Sequence, residues 1–276
     1  MPVKTYEDTI HKDLIQPMKE ECYRINNFVT QSIKTHKDGK YTTFWFEKDD
    51  EPKTLIEYIA KSISFKDFPN GFPDNYVGFE WWMQVRDTKE DITFHYDKDE
   101  GLSSQKNEYI YPIHSTITYL TNVGGPTTIF NDENYDNGYL SFPKVNKHVV
   151  FDGHLFHGVI GPLSKIKPTK DSNRITFLIN YWYQKPIEPN CIVFPYDRFT
   201  LSPLTEEHVR LQESTKKEKS KILIMKYKNG YNNYTIYRNR TPIIVSFAKI
   251  LKSMTTYSFK FQRNNEIVSV QTFSSF

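Results

Sequence analysis

Apolar side chains recur at helical spacing near the start of the chain, where Ile10, Leu14, Ile15, Met18, Cys22, Ile25 and Val29 share one face between Tyr6 and His36. This pattern predicts one or two helices, with Pro17 as a candidate break. A second helix is predicted over Pro52–Ser64, where Leu55, Ile56, Tyr58, Ile59 and Ile63 make one broad face before the turn-rich FKDFPNGFPDN ends it. From Val77 the texture changes to short aromatic and β-branched runs separated by turn signals. VGFEWWMQV, ITFHYD, IHSTITYL, TTIF, YLSF, HVVFDG, FHGVIG and RITFLINYWY read as eight strands.

Eight short strands behind amphipathic helices predict a mainly β fold, a jelly-roll or double-stranded β-helix core with N-terminal helices buttressing one sheet. An immunoglobulin-like sandwich competes, but no Cys-Trp-Cys pattern supports it. Three regions follow: 1–75 as a helical buttress, 76–186 as the core, and 187–276 as a basic, partly β extension. The last region is predicted to hold a short helix around Thr205–Lys217, then the runs KILIMKY, NYTIYR, PIIVSF, YSFKF and IVSVQTF. These fit a small appended sheet or an extension of the main one.

Composition narrows the chemistry. Aromatic residues make up 16% of the 276, which favours packed β-structure over disorder. No stretch approaches a membrane-spanning apolar block, and Met1 to Leu14 lacks the core of a signal peptide, so a soluble, intracellular protein without a membrane partner is expected. Cys22 and Cys191 are the only cysteines and are far apart, so any metal must be held by His and carboxylate. The net charge of +3 is divided unevenly: from Thr215 onward there are 12 Lys and Arg against two Glu, leaving −7 on the preceding part. Lys216, Lys217, Lys219, Lys221, Arg238 and Arg240, with interleaved tyrosines, make nucleic acid a candidate partner, against the simpler reading of a solvated surface.

In TFHYDKDE, His95 and Asp97 stand two apart, so on a strand they point to one face. An HxD is common by chance and needs a third ligand. His154 and His157 in FDGHLFHGVIG both offer one, and two His with one carboxylate form a facial triad that leaves metal positions open. Beyond them Arg174 and Thr176 share a face of RITFLINYW, a guanidinium and a hydroxyl suited to holding a carboxylate, and Asn180 lies on the same side.

In this order HYD, FHGV and RIT, the chain resembles the 2-oxoglutarate and Fe(II)-dependent oxygenase superfamily, prolyl-hydroxylase-like members included, over roughly Val77 to Lys185. The resemblance implies a jelly roll with Fe(II) held by His95, Asp97 and His157. It selects His157 over His154, which is left to a turn. It also implies 2-oxoglutarate anchored by Arg174 and Thr176, O2 as co-substrate, ascorbate as an optional reductant, and hydroxylation of a substrate C–H. Tyr119, Trp82 and Gln84 are candidates for the cosubstrate pocket, with core packing as the competing role. Asp99 and Glu100 are candidates for an acidic rim that receives a basic polypeptide. Gly124-Gly125-Pro126-Thr127 reads as a hairpin turn, and His114 and His148 as structural or exposed. A polypeptide is the favoured substrate. A nucleic-acid-directed oxygenase and a non-catalytic jelly-roll binding module are the alternatives.

Overall fold

The computed structural model describes residues 3–35, 43–131, 137–164, 172–187, 191–197, 199–215, 218–219, 223–226, 232–238, 241–253, 256–263 and 266–274, with backbone alone beyond residue 219. Its first sheet contains β1 (Val3–Glu7), β2 (Thr43–Glu47), β3 (Gly78–Asp87), β5 (His114–Tyr119), β8 (His148–Asp152), β10 (Asn173–Trp182), β11 (Cys191–Val193) and β12 (Glu218–Lys219). The second contains β4 (Ile92–His95), β6 (Thr127–Phe130), β7 (Asn137–Ser141), β9 (His157–Val159) and β13 (Leu223–Lys226). Strand order is β11-β2-β3-β10-β5-β8-β1-β12 in the large sheet and β13-β7-β6-β9-β4 in the small one. From β3 to β10 the chain passes repeatedly between the two sheets, the antiparallel winding of a jelly roll. These eight strands are the eight runs read from Val77 onward.

The central strand β10 is buried almost throughout because each of its faces has a cover. Ile175, Phe177, Ile179 and Tyr181 face the helices and pack with Met18, Cys22, Ile25, Ile56, Ile59 and Ile63. Leu178 packs on the opposite face with Ile117, Tyr119, Ile129, Val149 and Phe151, between the sheets. The helices are α1 (Ile15–Thr35), α2 (Leu55–Asp67), α3 (Glu100–Lys106) and α4 (Glu206–Glu213).

Pro17 does not break α1. It falls in the first turn, where its missing N–H has no helical partner to lose. The residues before Ile15 depart from the expected helix, since Val3–Glu7 pairs with β8 and only Lys12–Leu14 makes a single 3₁₀ turn. Helix α2 starts behind Thr54, whose side chain accepts from the Glu57 N–H while Glu57 caps the Thr54 N–H in return. It continues three residues past the expected Ser64.

Both readings of the C-terminal runs hold, for different segments. Strand β12 joins β1 and β13 joins β7, extending the two main sheets. Strands β14 (Asn232–Arg238), β15 (Thr241–Ser253), β16 (Thr256–Arg263) and β17 (Glu266–Ser274) form a separate antiparallel meander.

Candidate metal and carboxylate site

Strands β4 and β9 pair so that His95 stands opposite His157, with the two rings 4.5 Å apart. Each imidazole is oriented through its Nδ1, which lies 2.7 Å from the Thr93 carbonyl in His95 and 2.9 Å from the Leu155 carbonyl in His157. An Nδ1–H donated to a carbonyl leaves the Nε2 lone pair free, the form in which histidine binds a metal. Both Nε2 atoms turn to Asp97, His95 at 3.7 Å from Oδ1 and His157 at 3.7 Å from Oδ2. One ligand atom from each of the three lies within 4.8 Å of the others, and this is the one such cluster among the described residues.

His157 is buried, and its pKa is lowered to about 4, first by burial and then by the charge of His95, against the opposing pull of Asp97. It therefore stays neutral, as a metal ligand must be. Gly158 permits the close approach of β9 to β4: a Cβ there would stand 2.8 Å from the Ile92 carbonyl oxygen and 2.9 Å from the Phe94 ring.

An open cavity runs from this cluster to Arg174, with Trp82, Gln84, Ile117, Thr127, Thr176 and Leu178 along its walls. Arg174 is 3% exposed, and no acidic partner is found for it among the described residues. Its Nη2 donates to Thr127 Oγ1 at 3.0 Å and its Nη1 to Thr176 Oγ1 at 3.4 Å, while the buried Nε has no partner. Burial lowers its pKa, yet a guanidinium keeps its charge, so the inner end of the cavity carries a desolvated cation without a counter-ion. Gly124, at φ +101°, lies against the Arg174 stem, where a Cβ would come within 2.7 Å of Cδ.

Of the sequence candidates, His95, Asp97, His157, Arg174, Thr176, Trp82 and Gln84 meet around this cavity. Tyr119 lies behind it: its ring is 5.4 Å from the Arg174 guanidinium carbon and its hydroxyl is 2.8 Å from Thr127 Oγ1. His154 is exposed in the turn after β8. His148 is buried against Asp67, and His114 stacks on Phe68 beside Asp152. Asp99 is buried, capping α3 through the Leu102 N–H and accepting from the Ile187 N–H. Glu100 is exposed at the start of α3, 4.0 Å from Lys98, which lies over the Tyr109 ring. The Gly124–Thr127 segment is not a hairpin turn, since it carries the chain from β5 in one sheet to β6 in the other. Thr127 was missed on that account, and no local signal marks it. Lys219 is exposed on β12 and Arg238 falls in β14, while Lys216, Lys217, Lys221 and Arg240 lie outside the described residues.

No known family profile matches the chain, and no curated protein matches it by sequence. Solved structures do. A prolyl-4-hydroxylase of Pseudomonas putida matches at 14% identity over 67% of this chain and 88% of its own, with a TM-score of 0.41. HygX of Streptomyces hygroscopicus, solved with nickel and 2-oxoglutarate bound, matches at 9% identity over 66% of this chain and 81% of its own, with a TM-score of 0.38. An oxidoreductase of the 2OG-Fe(II) oxygenase family from Burkholderia pseudomallei matches at 12% identity over 45% of this chain and 50% of its own, with a TM-score of 0.29.

Proposed function

We propose that the chain is an Fe(II)- and 2-oxoglutarate-dependent dioxygenase that hydroxylates a polypeptide side chain. One observation carries this reading: a two-histidine, one-carboxylate cluster and a buried arginine with no acidic partner among the described residues share one cavity. The donor set fits Fe(II), since two neutral imidazoles and a carboxylate on one side leave positions for exogenous ligands. The inner end fits a carboxylate, which would supply the partner that Arg174 Nε lacks. His95, Asp97 and His157 would hold the metal, and Arg174, Thr176 and Thr127 the distal carboxylate of the 2-oxo acid. When bound, the pair supplies oxidative decarboxylation of 2-oxoglutarate by O2 to succinate and CO2, coupled to C–H hydroxylation.

The protein's own part is binding and exclusion. Arg174 neutralises the cosubstrate carboxylate away from water, where the ion pair is strongest. Ile117, Leu178 and Trp82 wall the cavity with apolar surface, and the carbonyls of Thr93 and Leu155 keep both imidazoles in the ligating tautomer.

Anaerobic visible absorption tests the reading without a substrate. Adding 2-oxoglutarate to the Fe(II) protein is expected to raise a metal-to-ligand charge-transfer band that His157→Ala lacks and His154→Ala keeps. A metal-loaded protein that shows no band would be a binding module instead, and equal loss at His154 would move the metal ligand.

A further inference from the structure

Four residues stand side by side across the large sheet, one on each of β3, β10, β5 and β8. Register pairs Glu80 with Asn180, Asn180 with Ser115, and Ser115 with Phe151, and directly opposed residues present their side chains to one face. The preceding row on that face is Trp82, Leu178 and Ile117, all of which wall the cavity. The row of four is the next on that face, about 7 Å along the strands and just beyond the residues that line the cavity.

Its two ends can be located against the metal cluster. Phe151 meets the His157 ring edge-on at 4.9 Å. At the other end the Glu80 carboxyl, raised mainly by burial, also feels the charge of Asp97. Asn180 and Ser115 lie between these ends in the row.

Each side chain holds one buried atom without a partner. Asn180 is 3% exposed and Ser115 1%, and neither Asn180 Oδ1 nor Ser115 Oγ has a hydrogen-bond partner. Glu80 differs, because the Thr43 hydroxyl and the Trp182 indole N–H already occupy its carboxylate. Two dry polar groups left open beside a reactive centre call for a ligand that satisfies both.

Resting on the function proposed above, we propose that Ser115 and Asn180 form a substrate subsite for an amide, either a peptide unit or a carboxamide side chain, next to the carbon presented to the metal. A carboxamide offers N–H donors and a carbonyl acceptor, and an amide ligand returns the same set in complement. A hydrocarbon chain leaves both groups unpaired. A phosphate or carboxylate meets the negative charge of Asp97 at the Glu80 end of the row.

The test uses the full chain with Mn(II) in place of Fe(II), with 2-oxoglutarate present and acetamide as the probe. Proton relaxation of the acetamide methyl reports its approach to the Mn(II), even in weak binding. Acetone, of similar shape and with an acceptor only, is the comparison. Acetamide is expected to relax more than acetone, and Ser115→Ala or Asn180→Leu is expected to reduce the acetamide effect about threefold to tenfold, the loss of one hydrogen bond. Equal relaxation of acetamide and acetone by the wild type, or acetamide relaxation unchanged in both variants, would overturn the subsite. Should Asn180→Leu not fold, Ser115→Ala removes a single oxygen and carries the test alone. The methylene protons of 2-oxoglutarate read the underlying function in the same samples. Relaxed 2-oxoglutarate with indifferent acetamide sinks the subsite alone, and unrelaxed 2-oxoglutarate sinks both.

Discussion

Arg174 shows what one residue can do when its surroundings are incomplete. Its guanidinium is buried, bonded to two threonine hydroxyls and left with an open Nε, so the folded protein bears a desolvation cost that a carboxylate ligand would offset. Arg174→Ala is expected to weaken 2-oxoglutarate binding roughly tenfold to a hundredfold, as loss of a charge-assisted bond does, while Fe(II) affinity is unchanged. Titration of the charge-transfer band measures both, and an unchanged cosubstrate affinity would place the anchor elsewhere. Arg174 and Thr176 were legible because strand alternation alone puts them on one face, whereas Asp97 joins His95 from the segment after β4 ends, so that pair was legible by its spacing and not by a shared strand. Thr127, which shares Arg174 with Thr176, was not legible: its place depends on how the Gly124–Thr127 segment crosses between the sheets. The convergence of Ser115 and Asn180 likewise depends on cross-strand register, which a sequence does not display.

At the scale of elements, the runs from Val77 were legible because short aromatic and β-branched stretches stand between turn signals. Strands β1 and β2 were not. Val3–Glu7 is five residues long and stands as a strand through its pairing with β8, a long-range partner that overrides any local preference. Helix α2 is fixed to the sheet at its last residue. Asp67 accepts from the Tyr181 hydroxyl at 2.7 Å and lies 3.1 Å from His148 Nε2, and His148 Nδ1 is 2.8 Å from Thr118 Oγ1. The Asp67 and His148 side chains are fully buried. Asp67→Ala leaves His148 and Tyr181 without their acceptor in a dry site, and should cost about 3 kcal/mol. Urea unfolding checks this, and a loss below about 1 kcal/mol would mean that the helix is held by its apolar face alone.

Across the whole molecule, the segment after α4 closes two edges at once. Strand β12 adds to β1 at one end of the large sheet and β13 to β7 at one end of the small one, so the jelly roll is finished by residues far from its core in sequence. Exposed strand edges invite pairing with other chains, and covering them is a common protection. The same segment carries the surplus of positive charge, while the part before it is acidic. Truncation after Thr215 is therefore expected to lower the melting temperature by roughly 5 °C, the shift that about 2 kcal/mol produces in a domain of this size. It should also promote aggregation, with the Fe(II) and 2-oxoglutarate band retained, because His95, His157 and Arg174 sit on strands, and Asp97 on the segment just after β4, that the truncation leaves in place. Thermal unfolding, light scattering and the visible spectrum of the truncated chain give the three readings. A lost band in a truncated protein that still melts cooperatively would show that the C-terminal segment takes part in the site itself.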